Sequence, residues 1–188
     1  MLVILGHPDS ETYCGALAEA YVKGAKESGH TVRMIRLGDL KFDPILHKGY
    51  KEIQKLEPDL VQAQKDITWA EHLVWVYPTW WASFPALLKG FFDRIILPGF
   101  AFHFHKEDPF WDKLLKGRTA DIIVTMDGPK WLYYFLFGAP GVKVIKRGIL
   151  GFCGVKVKKV ITIGDIKKLQ EEKKKKWIEK VYRRGKSI

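Results

Sequence analysis

Two short segments of this chain, residues 2–6 and 73–77, are apolar at almost every position. A strand with one wet face alternates apolar and polar residues, whereas a strand that is apolar throughout needs cover on both faces. A parallel sheet between two layers of helices provides that cover. Together with three further runs rich in Val and Ile, the sequence predicts five strands, at 2–6, 31–36, 73–77, 119–126 and 157–163.

The segments between these strands have helical periodicity. In residues 14–28, Leu17, Tyr21 and Gly24 fall at helical spacing and Gly29 supplies a stop. We expect helices at about 14–28, 58–71, 85–95 and 139–151, and a last helix that begins near an N-cap at Asp165 and carries Trp177, Ile178, Val181 and Tyr182 on one side. The alternation predicts one α/β domain over residues 1–188, a three-layer sandwich with strand order 2-1-3-4-5.

Composition narrows the class of protein. A formal charge of +11 suits nucleic acid, an anionic membrane surface or a polyanionic small molecule. We interpret the lysine run 173–176 as the solvated face of a helix, because no exposed aromatics interleave with it as they do in single-strand binders, and we expect no nucleic-acid partner. The two cysteines show no disulfide or zinc spacing, so we expect no metal and a cytoplasmic setting. No leader-like or membrane-spanning stretch is apparent, so we expect no membrane insertion.

Ligands of doubly wound sheets bind outside the carboxyl ends of the strands, where the strand order reverses. Here those ends are the loops 7–14, 78–84 and 127–134. The first loop, GHPDSETYCGAL, lacks the spaced glycines of a dinucleotide fingerprint and the Gly-Lys-Ser/Thr of a P-loop. Free N–H groups gather at a helix start and attract phosphate. His7 and residues 12–14 therefore form either an anion cradle or a simple helix cap.

The second loop, YPTWWASFPALLKG, places two tryptophans between two prolines. Pro78 ends strand pairing and Pro85 suits the first turn of a helix, so the residues between them cross the edge of the sheet. There they could stack on a flat heteroaromatic ligand. Equally, Trp80 and Trp81 could cover the core or a subunit interface.

The third loop, TMDGPKWLYYFLFGAPG, contains a very apolar run from Trp131 to Phe137, which indicates a binding or dimer surface. Tyr133 or Tyr134 could direct a phenol at a ligand, or both could be interface tyrosines. Other candidates are weaker. His103 and His105 lack a third metal ligand nearby in sequence, and we interpret Cys153 as a small buried apolar residue.

Taken in order, these stretches resemble the NAD(P)H:quinone oxidoreductase family of flavodoxin-like flavoproteins, which includes DT-diaphorase relatives and short bacterial NAD(P)H oxidoreductases. The resemblance covers nearly the whole chain and is carried by LGHPDSETYCGAL, DLKFDPIL, YPTWWASFPALLKGFFDRIILPGFAF, TMDGP and GILGFCGV. It implies a flavodoxin-like fold, a tightly bound flavin, and a homodimer with its active site at the subunit interface.

Position by position, the resemblance assigns the flavin phosphate to His7, Thr12, Tyr13 and Cys14. It places one side of the isoalloxazine against Pro78, Thr79, Trp80, Trp81 and Ala82. It places Thr125, Met126, Asp127 and Gly128 around the pyrimidine and dimethylbenzene parts of that ring system. Tyr133 matches an active-site tyrosine and is the expected catalytic residue. Three positions depart from the family pattern. Cys14 stands where an asparagine is usual, Asp127 replaces the first of two glycines, and Ala139 stands near the place of a histidine.

The implied reaction is hydride transfer from NAD(P)H to the flavin and then to a quinone or similar acceptor, by a ping-pong mechanism. Because the 47–64 segment is shorter than in FAD-binding relatives, we expect FMN, with FAD as the alternative. The competing hypotheses are an electron carrier of the flavodoxin type, a regulatory subunit of a potassium-efflux system that keeps the fold and the flavin, and a nucleic-acid binder.

Overall fold

The computed structural model describes all residues from Met1 to Ile188. Its main sheet is parallel throughout and has five strands in the order β2-β1-β3-β6-β7, which confirms the predicted order 2-1-3-4-5. The seven strands of the chain are β1 (Leu2–Leu5), β2 (Arg33–Arg36), β3 (His72–Pro78), β4 (Phe102–Phe104), β5 (Trp111–Lys113), β6 (Thr119–Thr125) and β7 (Lys156–Ile163). Every residue of β1 and β3 is buried, as their unbroken apolar sequences require.

Helices cover both faces of this sheet. They are α1 (Tyr13–Glu27), α2 (Pro58–Trp69), α3 (Ala86–Ile95), α4 (Lys130–Phe135), α5 (Pro140–Lys143), which continues as a π-helical segment (Val144–Gly151), and α6 (Glu171–Lys186). Residues of α1 and α6 pack on one face, around Val3, Leu5 and Val76. Residues of α2, α3 and the π-helical segment pack on the other, around Leu2, Ile4 and Trp75. The result is the predicted flavodoxin-like three-layer sandwich.

Three details differ from the sequence prediction. Asp165 adopts a left-handed conformation (φ 56°) and precedes a single 3-10 turn, so α6 begins later, at Glu171. Residues 102–113 form a β4–β5 hairpin. Residues 130–135 form the short helix α4. The sequence did not indicate this helix, because the apolar run 131–137 lacks the alternation of apolar and polar residues from which a helical period is read.

A buried polar network fixes the C-terminal helix at the amino-terminal edge of the sheet. Asp121 on β6 is completely buried and receives two hydrogen bonds from the guanidinium of Arg184 on α6, at 2.6 and 3.1 Å. The Tyr21 hydroxyl donates a third, at 2.9 Å. Because each carboxylate oxygen has a donor, the buried charge of Asp121 is compensated. Residues far apart in sequence thereby hold α1, β6 and α6 together.

A second buried charge anchors the long segment between β2 and α2. Arg94 on α3 is almost fully buried and donates to both carboxylate oxygens of Glu57, at 3.2 and 2.8 Å, and to the carbonyls of Asp43 and Lys55. A planar guanidinium can satisfy several acceptors at once, which explains why an irregular segment can stay ordered around it. None of the helices is both long enough and apolar enough to cross a lipid bilayer.

Candidate functional site

The carboxyl ends of β1, β3 and β6 open onto one pocket of about 200 Å³. Parallel strands place these ends at the same edge of the sheet, so three loops that are distant in sequence meet there. The lining residues are His7, Thr12, Tyr13, Cys14, Pro78, Thr79, Trp80, Thr125, Met126, Asp127 and Ile166. Of the residues that we expected to bind a cofactor, only Trp81, Ala82 and Gly128 lie outside this lining.

The first loop presents free backbone donors to the pocket. Thr12 is the N-cap of α1, and its hydroxyl accepts the N–H of Gly15 at 3.3 Å. The N–H groups of Thr12, Tyr13 and Cys14 have no acceptor in the chain. Gly15 permits this arrangement, since a Cβ there would lie 1.9 Å from the Ser10 carbonyl oxygen. The loop therefore supplies three donors at the positive end of a helix dipole.

The side chains of Tyr13 and Cys14 have structural partners. The Tyr13 hydroxyl donates to the Lys174 carbonyl at 3.0 Å and so joins the loop to α6. The Cys14 thiol lies 3.1 Å from the Thr125 hydroxyl, and burial raises the pKa of this thiol to about 11. Cys14 therefore stays neutral at physiological pH, and both residues can serve a ligand through their backbone N–H groups.

The second loop contains an unsatisfied polar atom. The Thr79 N–H donates to the Thr125 carbonyl at 2.6 Å, which ties the loop to β6. The Thr79 hydroxyl, however, is buried without a hydrogen-bond partner at normal distance, although it lies near enough to the Tyr133 phenol to lower the pKa of that group. A buried polar group without a good partner costs about 1–3 kcal/mol, and a ligand in this pocket could relieve that cost.

A tight turn follows Thr79. The Ser83 N–H donates to the Trp80 carbonyl at 2.9 Å, and both residues between them are left-handed, Trp81 with φ 51° and Ala82 with φ 57°. Such conformations are costly for residues other than glycine and concentrate at functional sites. The turn leaves the N–H groups of Trp80, Trp81 and Ala82 without acceptors and the Trp81 side chain fully exposed.

The third loop is closed by a segment that sequence analysis did not assign to the site. The N–H of Ile166 donates to the Met126 carbonyl at 3.2 Å, and the N–H of Asp165 donates to the Gly128 carbonyl at 3.1 Å. Asp127 forms an ion pair of 2.7 Å with Lys167. Residues 164–167 directly follow β7, the fifth strand of the main sheet. Because β7 ends at the same edge of the sheet as β1, β3 and β6, this position could have suggested that these residues belong to the site.

Tyr133, the expected catalytic residue, is hydrogen-bonded within the chain through its hydroxyl. It is buried, and its hydroxyl accepts the N–H of Val142 in α5 at 3.2 Å. Burial raises the pKa of this phenol. The neighbouring Tyr134 hydroxyl lies 2.8 Å from that of Thr162. In this structure Tyr133 therefore joins α4 to α5 and stabilises the third loop.

No cluster of three or more His, Cys, Asp or Glu side chains has the arrangement of a metal site. The two histidines that we considered as a chelating pair lie on and after β4. His105 forms ion pairs with Asp108, at 3.0 Å, and Asp112, at 3.5 Å. These carboxylates raise the pKa of His105. Cys153 is completely buried, as expected from its apolar surroundings.

The unpaired donors of the pocket fit the phosphate and the ring of a flavin nucleotide. Unpaired N–H groups at the start of α1 suit a phosphate, and unpaired N–H groups at residues 80–82, together with the Thr79 hydroxyl, suit the oxygen and nitrogen atoms of an isoalloxazine. The volume of about 200 Å³ is below the roughly 300–1,000 Å³ of typical ligand sites. One chain thus encloses only part of such a ligand.

Comparison with known proteins adds independent information. A family model described as a flavodoxin-like fold matches residues 1–184. An uncharacterized NAD(P)H oxidoreductase of Haemophilus influenzae is 30% identical over 186 residues, which cover 95% of this chain and 90% of that protein. NAD(P)H dehydrogenase (quinone) 1 of Cavia porcellus is 29% identical over 83% of this chain, which spans 65% of that relative's length.

Among solved structures, Smu.1420 from Streptococcus mutans superposes with a TM-score of 0.84 and 27% sequence identity. The superposition covers 100% of this chain and 98% of the other. The architecture and its connections are therefore shared along the full length of both proteins.

Proposed function

Since the chain belongs to the flavodoxin-like fold family, and its curated relatives include NAD(P)H oxidoreductases, we propose that this oxidoreductase transfers hydride from NAD(P)H, by way of a bound flavin, to a quinone or similar acceptor. The proposal includes a ping-pong cycle, in which donor and acceptor use the same place in turn. When bound, the flavin supplies the redox chemistry, while the protein supplies binding, orientation and electrostatics.

The observation that carries this proposal is the convergence of unpaired donors on one pocket. The N–H groups of Thr12, Tyr13 and Cys14 hold the phosphate, and His7 lines the pocket beside them. The phosphate gains both hydrogen bonds and the favourable end of the α1 dipole. No acidic side chain is present in the first turn of α1 to compete for these donors.

The isoalloxazine then lies between the second and third loops. Pro78, Thr79, Trp80, Trp81 and Ala82 line one side of it, and Thr125, Met126, Asp127 and Gly128 line the other. The free N–H groups of residues 80–82 stabilise negative charge that develops on the ring system, as donors of an oxyanion hole do. The Asp127 carboxylate sits beside this region with its charge compensated by Lys167.

The cofactor we propose is FMN, with FAD as the alternative, because the pocket has a phosphate cradle but little volume beyond it. We further propose a homodimer. A fully exposed Trp81 on a strained turn, and a partial pocket, are features that a second copy would complete. Both cysteines are free and buried, which suits a reducing, cytoplasmic setting.

For Tyr133 we propose a positioning role. Its hydroxyl holds the N–H of Val142, and the adjacent Gly141 N–H donates to the Ala82 carbonyl at 3.2 Å. The strained Trp81–Ala82 turn is thus bonded to α5 through Gly141, and α5 is bonded to Tyr133 through Val142. The variant Tyr133→Phe should loosen this turn, raising the KM of the acceptor more than it lowers kcat.

A binding comparison tests the site. Titration of the apoprotein with FMN, FAD and riboflavin should give an FMN affinity at least about a hundredfold higher than that for riboflavin, because charge-assisted bonds to the phosphate contribute several kcal/mol. Gly15→Ala, which drives the Ser10 carbonyl away from the helix start, should remove most of this difference. Equal affinities for FMN and riboflavin would show that no phosphate binds there.

A further inference from the structure

The structure exposes a compact apolar surface beyond the proposed pocket. Trp131, Phe135, Leu136 and Phe137, here called the aromatic patch, lie on α4 and the residues that follow it. Phe135 is 86% exposed and Leu136 is 70% exposed. Tyr133 is the one buried residue of α4, so most of this short helix faces outward. Contiguous apolar surface of this kind marks an interaction site.

The chain segment that carries the aromatic patch contains only basic charged residues. Between Asp127 and Asp165 the chain contains seven Lys or Arg residues and no Asp or Glu. Lys130 lies in the same shallow depression as Trp131, Tyr134 and Phe135. Lys143 extends its ammonium to Gly138, next to Phe137. Lys146 and Arg147, also exposed, follow in the π-helical segment.

An exposed apolar patch with basic residues around it favours one type of partner. A second copy of the chain would bring two basic rims together, and like charges across an interface cost several kcal/mol. Anionic lipid headgroups would instead neutralise the basic residues near the aromatic patch. Trp and Phe prefer the boundary between headgroups and acyl chains, and flanking Lys residues reach the headgroups.

We propose that the aromatic patch inserts into the headgroup region of an anionic lipid bilayer, with Lys130, Lys143, Lys146 and Arg147 contacting the lipid phosphates. The sequence predicts no membrane insertion, and the structure has no bilayer-spanning helix. The contact proposed here is a surface contact. It would bring the loop of Asp127 to the membrane, because α4 begins three residues after that loop's pocket-lining carboxylate.

Vesicle sedimentation tests the proposal on the full-length chain. Vesicles of phosphatidylcholine with about 30% phosphatidylglycerol should sediment the protein, and pure phosphatidylcholine vesicles should not. The double variant Phe135→Gln/Leu136→Gln should bind at least about tenfold more weakly, since it removes two inserted apolar side chains. Its matched control is Ile45→Gln/Ile53→Gln, which changes two exposed isoleucines in the segment before α2 and should bind as the wild type does.

The charges are tested in the same way. Because one basic residue near an anionic surface changes the affinity about fivefold, the triple variant Lys130→Gln/Lys143→Gln/Lys146→Gln should bind on the order of a hundredfold more weakly. The control Lys173→Gln/Lys175→Gln/Lys176→Gln removes equal charge from α6. If both triple variants lost the same affinity, the attraction would be a property of net charge, and the proposed surface would be wrong.

Three other outcomes would also overturn the proposal. They are failure of the wild type to sediment with anionic vesicles, conversion of a dimer to a monomer by Phe135→Gln/Leu136→Gln, and binding of a DNA duplex by the patch in place of vesicles. FMN affinity and reduction of a water-soluble quinone should be unchanged in the patch variants. These two readouts separate a failure of membrane binding from a failure of the proposed oxidoreductase activity.

Discussion

At the scale of single residues, the buried hydroxyl of Thr79 offers the sharpest test of the proposed ligand site. It lies in the pocket wall without a partner, although its backbone N–H is fully used by Thr125. A folded protein tolerates such an atom at a cost of about 1–3 kcal/mol. Under the proposed function, the flavin supplies the missing hydrogen bond and this cost is recovered.

The substitution Thr79→Val separates these two effects. Val keeps the shape of Thr but has no hydroxyl, so the free energy of unfolding of the apoprotein should rise by about 1 kcal/mol, while FMN affinity should fall about tenfold. Denaturant unfolding and flavin titration measure the two quantities.

Thr162→Val provides the matched control, because the Thr162 hydroxyl already has a partner in Tyr134. This variant should lose stability and keep its FMN affinity. A Thr79→Val protein that was destabilised and still bound FMN normally would contradict the assignment of Thr79 to the ligand.

At this scale the sequence predicted the backbone contributions better than the side chains. The loop positions followed from strand ends, and ten of the expected residues line one pocket, from His7 to Asp127. The bonds of Tyr13 to Lys174 and of Tyr133 to Val142 could not be predicted. Each bond joins segments whose contact depends on how the helices pack on the sheet. The local sequence pattern does not determine that packing.

The helix α6 is held by packing against α1 and by one buried ion pair. Val181 and Gly185 are buried, Trp177, Ile178 and Tyr182 pack against the core on the α1 side, and Gly185 lies close to the Tyr21 backbone. Its attachment at the amino-terminal edge of the sheet comes from Arg184 and the buried carboxylate of Asp121.

The variant Arg184→Met should therefore lower the free energy of unfolding by about 3–5 kcal/mol, because it leaves the Asp121 carboxylate buried without a countercharge. Its control is the adjacent Arg183→Met, which breaks an exposed pair with Glu179 and should cost about 0.5 kcal/mol or less. Chemical denaturation compares the two directly. Equal effects of the two substitutions would mean that the network does not dock α6.

Elements with a clear period were predictable, and elements without one were not. The continuous apolar strands and the amphipathic helices α1 and α2 follow from the spacing of their residues. The start of α6 was misplaced because Asp165 resembles an N-cap, whereas its left-handed backbone instead closes the third loop through Gly128. A tertiary contact, and not the local sequence, therefore determines the backbone conformation of Asp165.

For the molecule as a whole, His72 predicts how stability depends on pH. Burial lowers the pKa of His72 to about 4, from 6.5 for the unfolded chain, because its ring lies between Tyr21 and Thr119. The unfolded chain therefore binds more protons between pH 6.5 and 4, and stability is lost as the pH falls through this range. The expected loss is about 3 kcal/mol.

Urea unfolding at a series of pH values measures this loss. In His72→Gln the group that titrates is absent, so the total loss of stability between pH 6.5 and 4 should be smaller by that amount. Equal losses in the two proteins would show that folding does not lower the pKa of His72.

The central claim is that the three loops at the carboxyl edge of the sheet hold a flavin for hydride transfer to a quinone. Its most direct test is the visible absorbance of the FMN-reconstituted protein, mixed anaerobically with NADPH or NADH and then with a quinone. The flavin band should bleach with a reduced nicotinamide and return with the quinone. A protein that retains no flavin, or whose flavin neither nicotinamide reduces, would contradict it.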